Sequence, residues 1–509
     1  MSKSNLPQFI ILVVLMLLGI APDAVSAELR VAGILTDHMV LQRDQPIHVR
    51  GWTEVGDAVT VTFADQTKQA TSDKNGKWSV TFEPFAASLQ GRLLRIKSGE
   101  ESIVINDVLV GEVWHASGQS NMAMTVGAMS RELETVKDDI AEADYPGIRF
   151  CRINEPESPE PLTDLRKPVD WIVCQPKTVS RFSGVAFYFA RRLNAELNVP
   201  IGVIDTSRGG TPIEPFIPRS AFDSHSTLKK ELELGDREDL VGIWKLPGGV
   251  RARDANWLPG RLFNSRMAPI SRFSVRGTIW YQGESNSGVQ EDPRDYQHKM
   301  RALINGWRQE FGNEKMPVYF VQLPGSGAGE GWPYLRGQQR LAADLPHTGM
   351  VVTIDIDGEG IHPPNKIDVG HRLARWALAK NYGKRLAFSG PMFDRQEIHG
   401  KKIIIHFLHG ESGLMIAKKE GLAKPVEVLD EELLNFEITD ASGDWQPAIA
   451  TIVGKTVIVT NTKVSSPIAI QYAYAVSPEN CNLYNHAGLP ASPFCSLPDL
   501  LTYDPKLPE

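Results

Sequence analysis

Four short segments hold the residue types that acyl transfer needs. Ser120 lies in Gly118-Gln119-Ser120-Asn121-Met122, just after an apolar run at 108–116. A polar, glycine-containing turn after a buried strand offers a hydroxyl and unsatisfied N–H groups at the carboxyl edge of a sheet, where open α/β sheets bind ligands. Such a serine is a nucleophile if a base reaches it, and otherwise a turn or cap residue. Ser207-Arg208-Gly209-Gly210-Thr211 follows the apolar run 201–205. Two glycines allow close backbone approach, and their N–H groups could stabilise an oxyanion or simply make a tight turn. The spacing matches neither a dinucleotide fingerprint nor a P-loop.

Gln282-Gly283-Glu284-Ser285-Asn286 follows a third run, 275–281, and is dense in groups able to hold a polar substrate. Asn286 could donate its amide N–H into an oxyanion hole. The fourth segment runs from Asp355 through Asp357, Glu359 and Ile361 to His362-Pro363-Pro364. The prolines keep His362 in a loop. It is the candidate general base for Ser120, with a nearby carboxylate to fix its tautomer. One histidine among twelve says little. Four such loops at four strand ends say much more.

The elements that must carry these loops alternate. Between 107 and 384, apolar runs at 108–116, 201–205, 275–281, 318–323 and 350–356 read as buried strands. Val185, Phe189, Leu193 and Leu197 recur every four residues, as do Tyr296, Met300, Ile304 and then Trp307, and Val369, Leu373 and Ala377. These are one-faced helices, and residues 334–345 supply a shorter one. The order predicts an α/β domain built on a doubly wound, mostly parallel sheet. Residues 156–176 and 222–254 read as polar insertions near the site. Residues 28–106 lack helical periodicity. Alternation at 59–63 and 77–82, around the turn Asp73-Lys74-Asn75-Gly76, predicts a β-sandwich-like module. A second β-rich module is expected over 385–509.

Composition sets the remaining bounds. The 509 residues are 42% hydrophobic, enough for a large core, and carry a formal net charge of −7 with no basic block. A nucleic-acid partner is therefore not expected. Lys3, the apolar run 9–20 and the small-residue site Val25-Ser26-Ala27 make the tripartite pattern of a secretory signal over residues 1–27. The mature chain would begin near Glu28, be secreted or periplasmic, and contain no transmembrane segment. In that oxidising setting, proximity in sequence suggests two disulfides, Cys151–Cys174 and Cys481–Cys495. Their spacing is not that of a zinc site. Nothing in the sequence fixes an oligomeric state.

The four segments, quoted as Gly118-Gln119-Ser120-Asn121-Met122, Gly209-Gly210-Thr211-Pro212-Ile213-Glu214, Trp280-Tyr281-Gln282-Gly283-Glu284-Ser285-Asn286 and Ile361-His362-Pro363-x-Asn365-Lys366, resemble the conserved blocks of the SGNH/GDSL hydrolases, and within them the sialate O-acetylesterase branch. Val40-Leu41-Gln42-Arg43, Gly51-Trp52 and the stretch 482–494 resemble that branch's terminal modules. The resemblance implies Ser120 as nucleophile and His362 as base. It implies an oxyanion hole from the N–H of Ser120, an N–H of Gly209 or Gly210, and Asn286. It also implies a substrate pocket touching Gln119, Arg208, Trp280, Tyr281, Gln282 and Glu284, and no metal or organic cofactor. The branch usually carries an aspartate just before Ile-His-Pro, where Gly360 stands here. Glu359 lies three residues before His362 and is the first candidate acid, Asp357 the second, and a Ser–His dyad the third possibility. The implied function is removal of O-acetyl groups from carbohydrate, foremost O-acetylated sialic acid. Acetylated xylan or another glycan is the enzymatic alternative. An inert carbohydrate-binding protein and a lipid esterase are the alternatives from other classes.

Overall fold

The computed structural model describes residues 28–236, 244–246, 249–251, 257–287, 292–325, 327–356, 358 and 360–503. The leader expected at residues 1–27 lies outside them. At the centre is the strand Glu101–Gly118, 18 residues long. Its first part pairs antiparallel with Ser88–Ser98. Its last part runs parallel to Ile201–Asp205 on one side and to Gly277–Tyr281 on the other. The module boundary expected at 106/107 thus falls inside one continuous strand, and the amino-terminal module shares a sheet with the site.

Outward from that strand the order is Ile201–Asp205, Tyr145–Arg152 and Ile172–Cys174 on one flank, and Gly277–Tyr281, Val318–Val321 and Thr348–Val351 on the other. Ile172–Cys174 is antiparallel to its neighbour, so the sheet is mixed. The 156–176 segment therefore supplies an edge strand, where only an insertion was expected. The helices Gly184–Leu197 and Lys366–Lys380 bury Val185, Phe189, Leu193, Val369, Leu373 and Ala377 in one apolar cluster. Tyr296–Glu310 and Trp332–Ala342 bury Tyr296, Met300, Trp307 and Leu335 in another. Helices thus cover both faces. The periodicities read from sequence supply these buried faces, because the i, i+4 rows form the stripe that meets the sheet.

The flanking modules are β-rich as expected. Strands Arg30–Val31, Ile47–Trp52 and Lys77–Phe82 form a three-stranded sheet. The Asp73 carboxylate accepts from the N–H groups of Asn75 and Lys77 and closes the turn foreseen there. At the carboxyl end, Met392–His399, Lys402–Leu408, Thr456–Thr460 and Ile449–Val453 make one sheet, and Phe436–Thr439 and Ala469–Tyr472 lie in another. The 482–494 stretch docks this module on the core. Gln322 Nε2 donates to Ser492 Oγ at 3.0 Å, and Tyr484 donates its hydroxyl to Asp355 at 3.3 Å.

Neither expected disulfide exists. Cys174 lies opposite Tyr145, six positions along the strand from Cys151. That is roughly 20 Å at about 3.3 Å per residue, and the two thiols belong to the apolar clusters on opposite faces of the sheet. Cys481 Sγ faces the Pro478 carbonyl, and Cys495 Sγ donates to the Leu497 carbonyl. Proximity in sequence did not translate into facing Cβ positions, which a disulfide requires. No helix among the described residues is long and apolar enough to cross a membrane.

Candidate active site

The site forms where the central strand and its two neighbours end. Gly118 has φ +136, and a Cβ there would lie 2.0 Å from the Tyr281 carbonyl oxygen. Glycine alone permits that turn. It delivers Ser120 as the first residue of the short helix Ser120–Ala123. The next loop is stitched to the same strand end, Thr206 N–H to Ala116 O and Arg208 N–H to Gly118 O, both at 2.9 Å. This brings Gly209 against the serine, where an added Cβ would sit 3.7 Å from Ser120 Cβ. Gly210 instead takes φ +67 and forms the left-handed turn. The two glycines thus separate, and Gly209 is the one at the nucleophile. Among the described residues no acceptor takes the N–H of Ser120 or of Gly209.

His362 Nε2 lies 2.7 Å from Ser120 Oγ, although 242 positions separate them. The loop carrying it doubles back, for a Cβ on Gly358 would be 2.8 Å from Pro363 Cα. His362 is itself exposed, and its Nδ1 meets no partner among the described residues. Its pKa is held below the ordinary histidine value, first by desolvation and then by the Lys366 ammonium. A neutral imidazole is the form that accepts a proton. Both candidate acids, Asp357 and Glu359, lie outside the described residues.

Behind the serine is a buried polar network. Asn121 is fully buried; it donates to the Ile361 carbonyl at 2.8 Å and, through the same Nδ2, to Glu284. Lys366 Nζ, also fully buried, donates to Asn121 Oδ1 at 2.5 Å. Burial brings the Lys366 pKa down to about 7 against the opposing pull of Glu284 and Glu132. Burial also raises the Glu284 carboxyl, with the Asn121 hydrogen bond opposing. One residue next to the nucleophile thus joins the serine turn, the third loop and the residue preceding His362.

A second network holds the third loop. Gln282 Nε2 donates to Gln119 Oε1 at 2.9 Å and to Asn286 Oδ1 at 2.7 Å, while Tyr296 donates to Gln282 Oε1 at 2.6 Å. Asn286 Oδ1 also accepts from Ile213 N–H at 2.9 Å, and its Nδ2 donates to Glu214 at 3.1 Å. Glu214 is paired with the buried Lys299 at 2.5 Å. Burial would raise the Glu214 carboxyl, but Lys299 holds it below the usual range. Arg266, fully buried, donates to the carbonyls of Thr206 and Ser207 at 3.1 and 3.0 Å and props the glycine turn.

Several expectations about substrate contact need correction. Trp280 and Tyr281 have no exposed surface. They are consecutive strand residues facing opposite layers, and Trp280 packs edge-on against Phe216 and Trp307. Gln119 and Gln282 are buried in mutual hydrogen bonds, and Glu284 is buried against Asn121. These five shape the loops. Asn286 is buried, and its Nδ2 donates to Glu214 beside the glycine turn. Arg208 alone of the expected contacts is half-exposed, and its side chain pairs with no described residue.

Asn121, Lys366 and Glu214 stand inside the quoted blocks, so buried polar residues within those blocks were the available signal. Lys299 and Arg266 had none, since each looks like an ordinary helix or loop cation. Among the described residues no three His, Cys, Asp or Glu side chains converge as a metal site.

Residues 110–379 match the family model of the carbohydrate esterases described as sialic acid-specific acetylesterases. The chain belongs to that family. The match contains Ser120, Gly209, Asn286 and His362, and it makes the protein a carbohydrate acetylesterase of the SGNH-like superfamily. Sialate O-acetylesterase of Rattus norvegicus is 27% identical over 96% of this chain and 98% of its own length. The Homo sapiens enzyme of the same name is 28% identical, with 96% of each chain covered. The crystal structure of a carbohydrate acetylesterase from Xanthomonas citri superposes with a TM-score of 0.79 at 32% identity, over 92% of this esterase and 99% of that chain.

Proposed function

We propose that this esterase removes O-acetyl groups through an acetyl-enzyme on Ser120, and that its preferred substrate is O-acetylated sialic acid. The 2.7 Å approach of His362 Nε2 to Ser120 Oγ carries the chemistry. His362 takes the hydroxyl proton as Oγ attacks the acetyl carbonyl. The negative charge gathers near the N–H groups of Ser120 and Gly209. The sugar oxygen then leaves with the proton from His362, and water, activated by the same imidazole, releases acetate.

Arg208 supports the sugar assignment. It immediately precedes Gly209, is half-exposed, and its side chain pairs with no described residue. A planar guanidinium matches a sugar carboxylate in a bidentate pair, which sialic acid offers and xylan does not. The likeness to the Xanthomonas citri protein, described only as a carbohydrate acetylesterase, supports a second reading in which the substrate is another acetylated glycan.

Acetate release from O-acetyl sialic acids, acetylated xylan and acetylated hexosamine glycans ranks the two. Sialic acid should lead, and Arg208→Ala should raise KM about tenfold or more on it while leaving acetylated xylan unchanged. Faster turnover of xylan by the intact enzyme, or an equal loss on both, would remove the sialate assignment. We also propose export, on the basic residue, apolar run and small-residue site within residues 1–27. Amino-terminal sequencing of the exported protein should begin near Glu28.

A further inference from the structure

A groove of about 1200 Å³ lies between the amino-terminal module and the α/β core. Its core wall includes Arg272 and Phe273, which precede the strand Gly277–Tyr281. Ser120 and His362 gather where the strands end, so the groove opens at the opposite edge of the sheet.

The module wall follows from strand periodicity. Along Ile47–Trp52 the odd positions Ile47, Val49 and Gly51 are buried, leaving His48, Arg50 and Trp52 on the outer face. Opposite them in register stand Thr81, Ser79 and Lys77, all exposed. The row thus sets an aromatic ring, with the Arg30 guanidinium 3.6 Å over its face, beside hydroxyls and cations, and Thr81 Oγ1 meets His48 Nδ1 at 3.0 Å. Arg50 is spent on the carbonyls of Thr163 and Pro269, at 2.8 and 2.5 Å. Arg272 is exposed and makes no hydrogen bond or ion pair with any described residue. It is close enough to depress the pKa of both His48 and Arg50, after the larger effect of their burial. Three permanent cations, Arg50, Lys77 and Arg272, face two carboxylates, Asp73 and Glu310, on a chain whose net charge is −7. The indole N–H of Trp78, buried in the groove wall, has no acceptor among the described residues.

We propose that this groove is a second, non-catalytic binding site for an oligosaccharide that carries a carboxylate. The carboxylate would pair with Arg272, whose side chain pairs with no described residue. The sugar would lie along the row of Thr81, Ser79 and Trp52, an arrangement of hydroxyls and an aromatic edge suited to a polar ring. Such a site would hold an acidic glycan while the far edge of the sheet works on its acetyl groups. The inference does not depend on which acetylated sugar is the substrate.

The test is calorimetric titration of the full chain with sialyllactose and with an oligogalacturonide, and with xylohexaose as the uncharged control. An acidic glycan should bind, the neutral one should bind at least tenfold more weakly, and Arg272→Glu should weaken the acidic glycan at least tenfold. Arg208→Ala should leave this binding in place, and Arg272→Glu should leave hydrolysis of p-nitrophenyl acetate unchanged. Arg272 is exposed, so its replacement does not threaten the fold. The proposal is overturned if neither acidic glycan binds, if xylohexaose binds as tightly, if Arg272→Glu has no effect, or if Arg208→Ala abolishes the same signal.

Discussion

Lys366 Nζ donates to Asn121 Oδ1 at 2.5 Å with both side chains fully buried. A lysine without exposed surface is costly unless the protein uses its charge. Here the ammonium leads the carbonyl end of Asn121, so the amide end is committed to Glu284 and to the Ile361 carbonyl. The orientation of an amide next to the nucleophile is thereby fixed by a residue of the helix that follows His362.

Replacing that lysine should therefore affect rate more than binding. Lys366→Met is expected to lower kcat about 10²-fold, the scale associated with small misplacements of reacting groups, with little change in KM. The pH profile separates this from mere loss of structure. The ammonium disfavours protonated His362 and depresses its pKa. Its removal should move the acid limb of kcat/KM to higher pH. An unmoved limb, measured on folded variant, would show that Lys366 does not act on the imidazole.

Ser120→Ala should abolish acetate release from p-nitrophenyl acetate by about 10⁴-fold or more. The serine is half-buried and the substitution removes only its hydroxyl, so the melting temperature should hold within about a degree or two. Retained turnover would exclude the covalent route. His362→Ala should match that loss, and the double variant should be no worse than either alone, because the two groups act as one unit.

The buried elements were the most legible part of the sequence. The helix around Val185, Phe189 and Leu193 and the strand Ile201–Asp205 stand where periodicity put them, because an apolar stripe or run has one way to leave water. The strand expected at 350–356 stops at Val351. Apolar content continues past it, but Ile354 and Ile356 are buried from a turn, and composition alone does not distinguish the two. In the site, Ser120 and His362 were recognisable by type and position. The resemblance set Trp280 and Tyr281 in the substrate pocket, but as consecutive residues of a buried strand their side chains point into opposite cores. The disulfides failed for a related reason: nearness along the chain says nothing about which face of a sheet a cysteine occupies.

The acid that supports His362 is separable by charge removal. If Glu359 holds the imidazole, Glu359→Gln should lower kcat by about 10²-fold or more, and Asp357→Asn should be nearly silent. The reverse ranking would assign the role to Asp357. A loss of only a few-fold in both, measured as kcat on p-nitrophenyl acetate, would mean that Ser120 and His362 work as a dyad.

His115 makes a prediction about stability. It is fully buried in the central strand, with Nε2 2.7 Å from Thr206 Oγ1 and Nδ1 3.2 Å from Thr278 Oγ1. Desolvation lowers its pKa from 6.5 to about 3. Between those values the unfolded chain binds a proton that the folded chain refuses, so folding stability rises with pH. The neutral ring's contribution is complete above about 6.5 and is lost as pH falls toward 3. The slope is about 1.4 kcal/mol per pH unit. Against His115→Asn, which lacks this titration, the wild-type protein should lose roughly 2 kcal/mol between pH 6.5 and 5, measured by urea unfolding at each pH. Parallel curves would mean that His115 protonates inside the fold, and the hydroxyl cage around it would then have to open at an accessible cost.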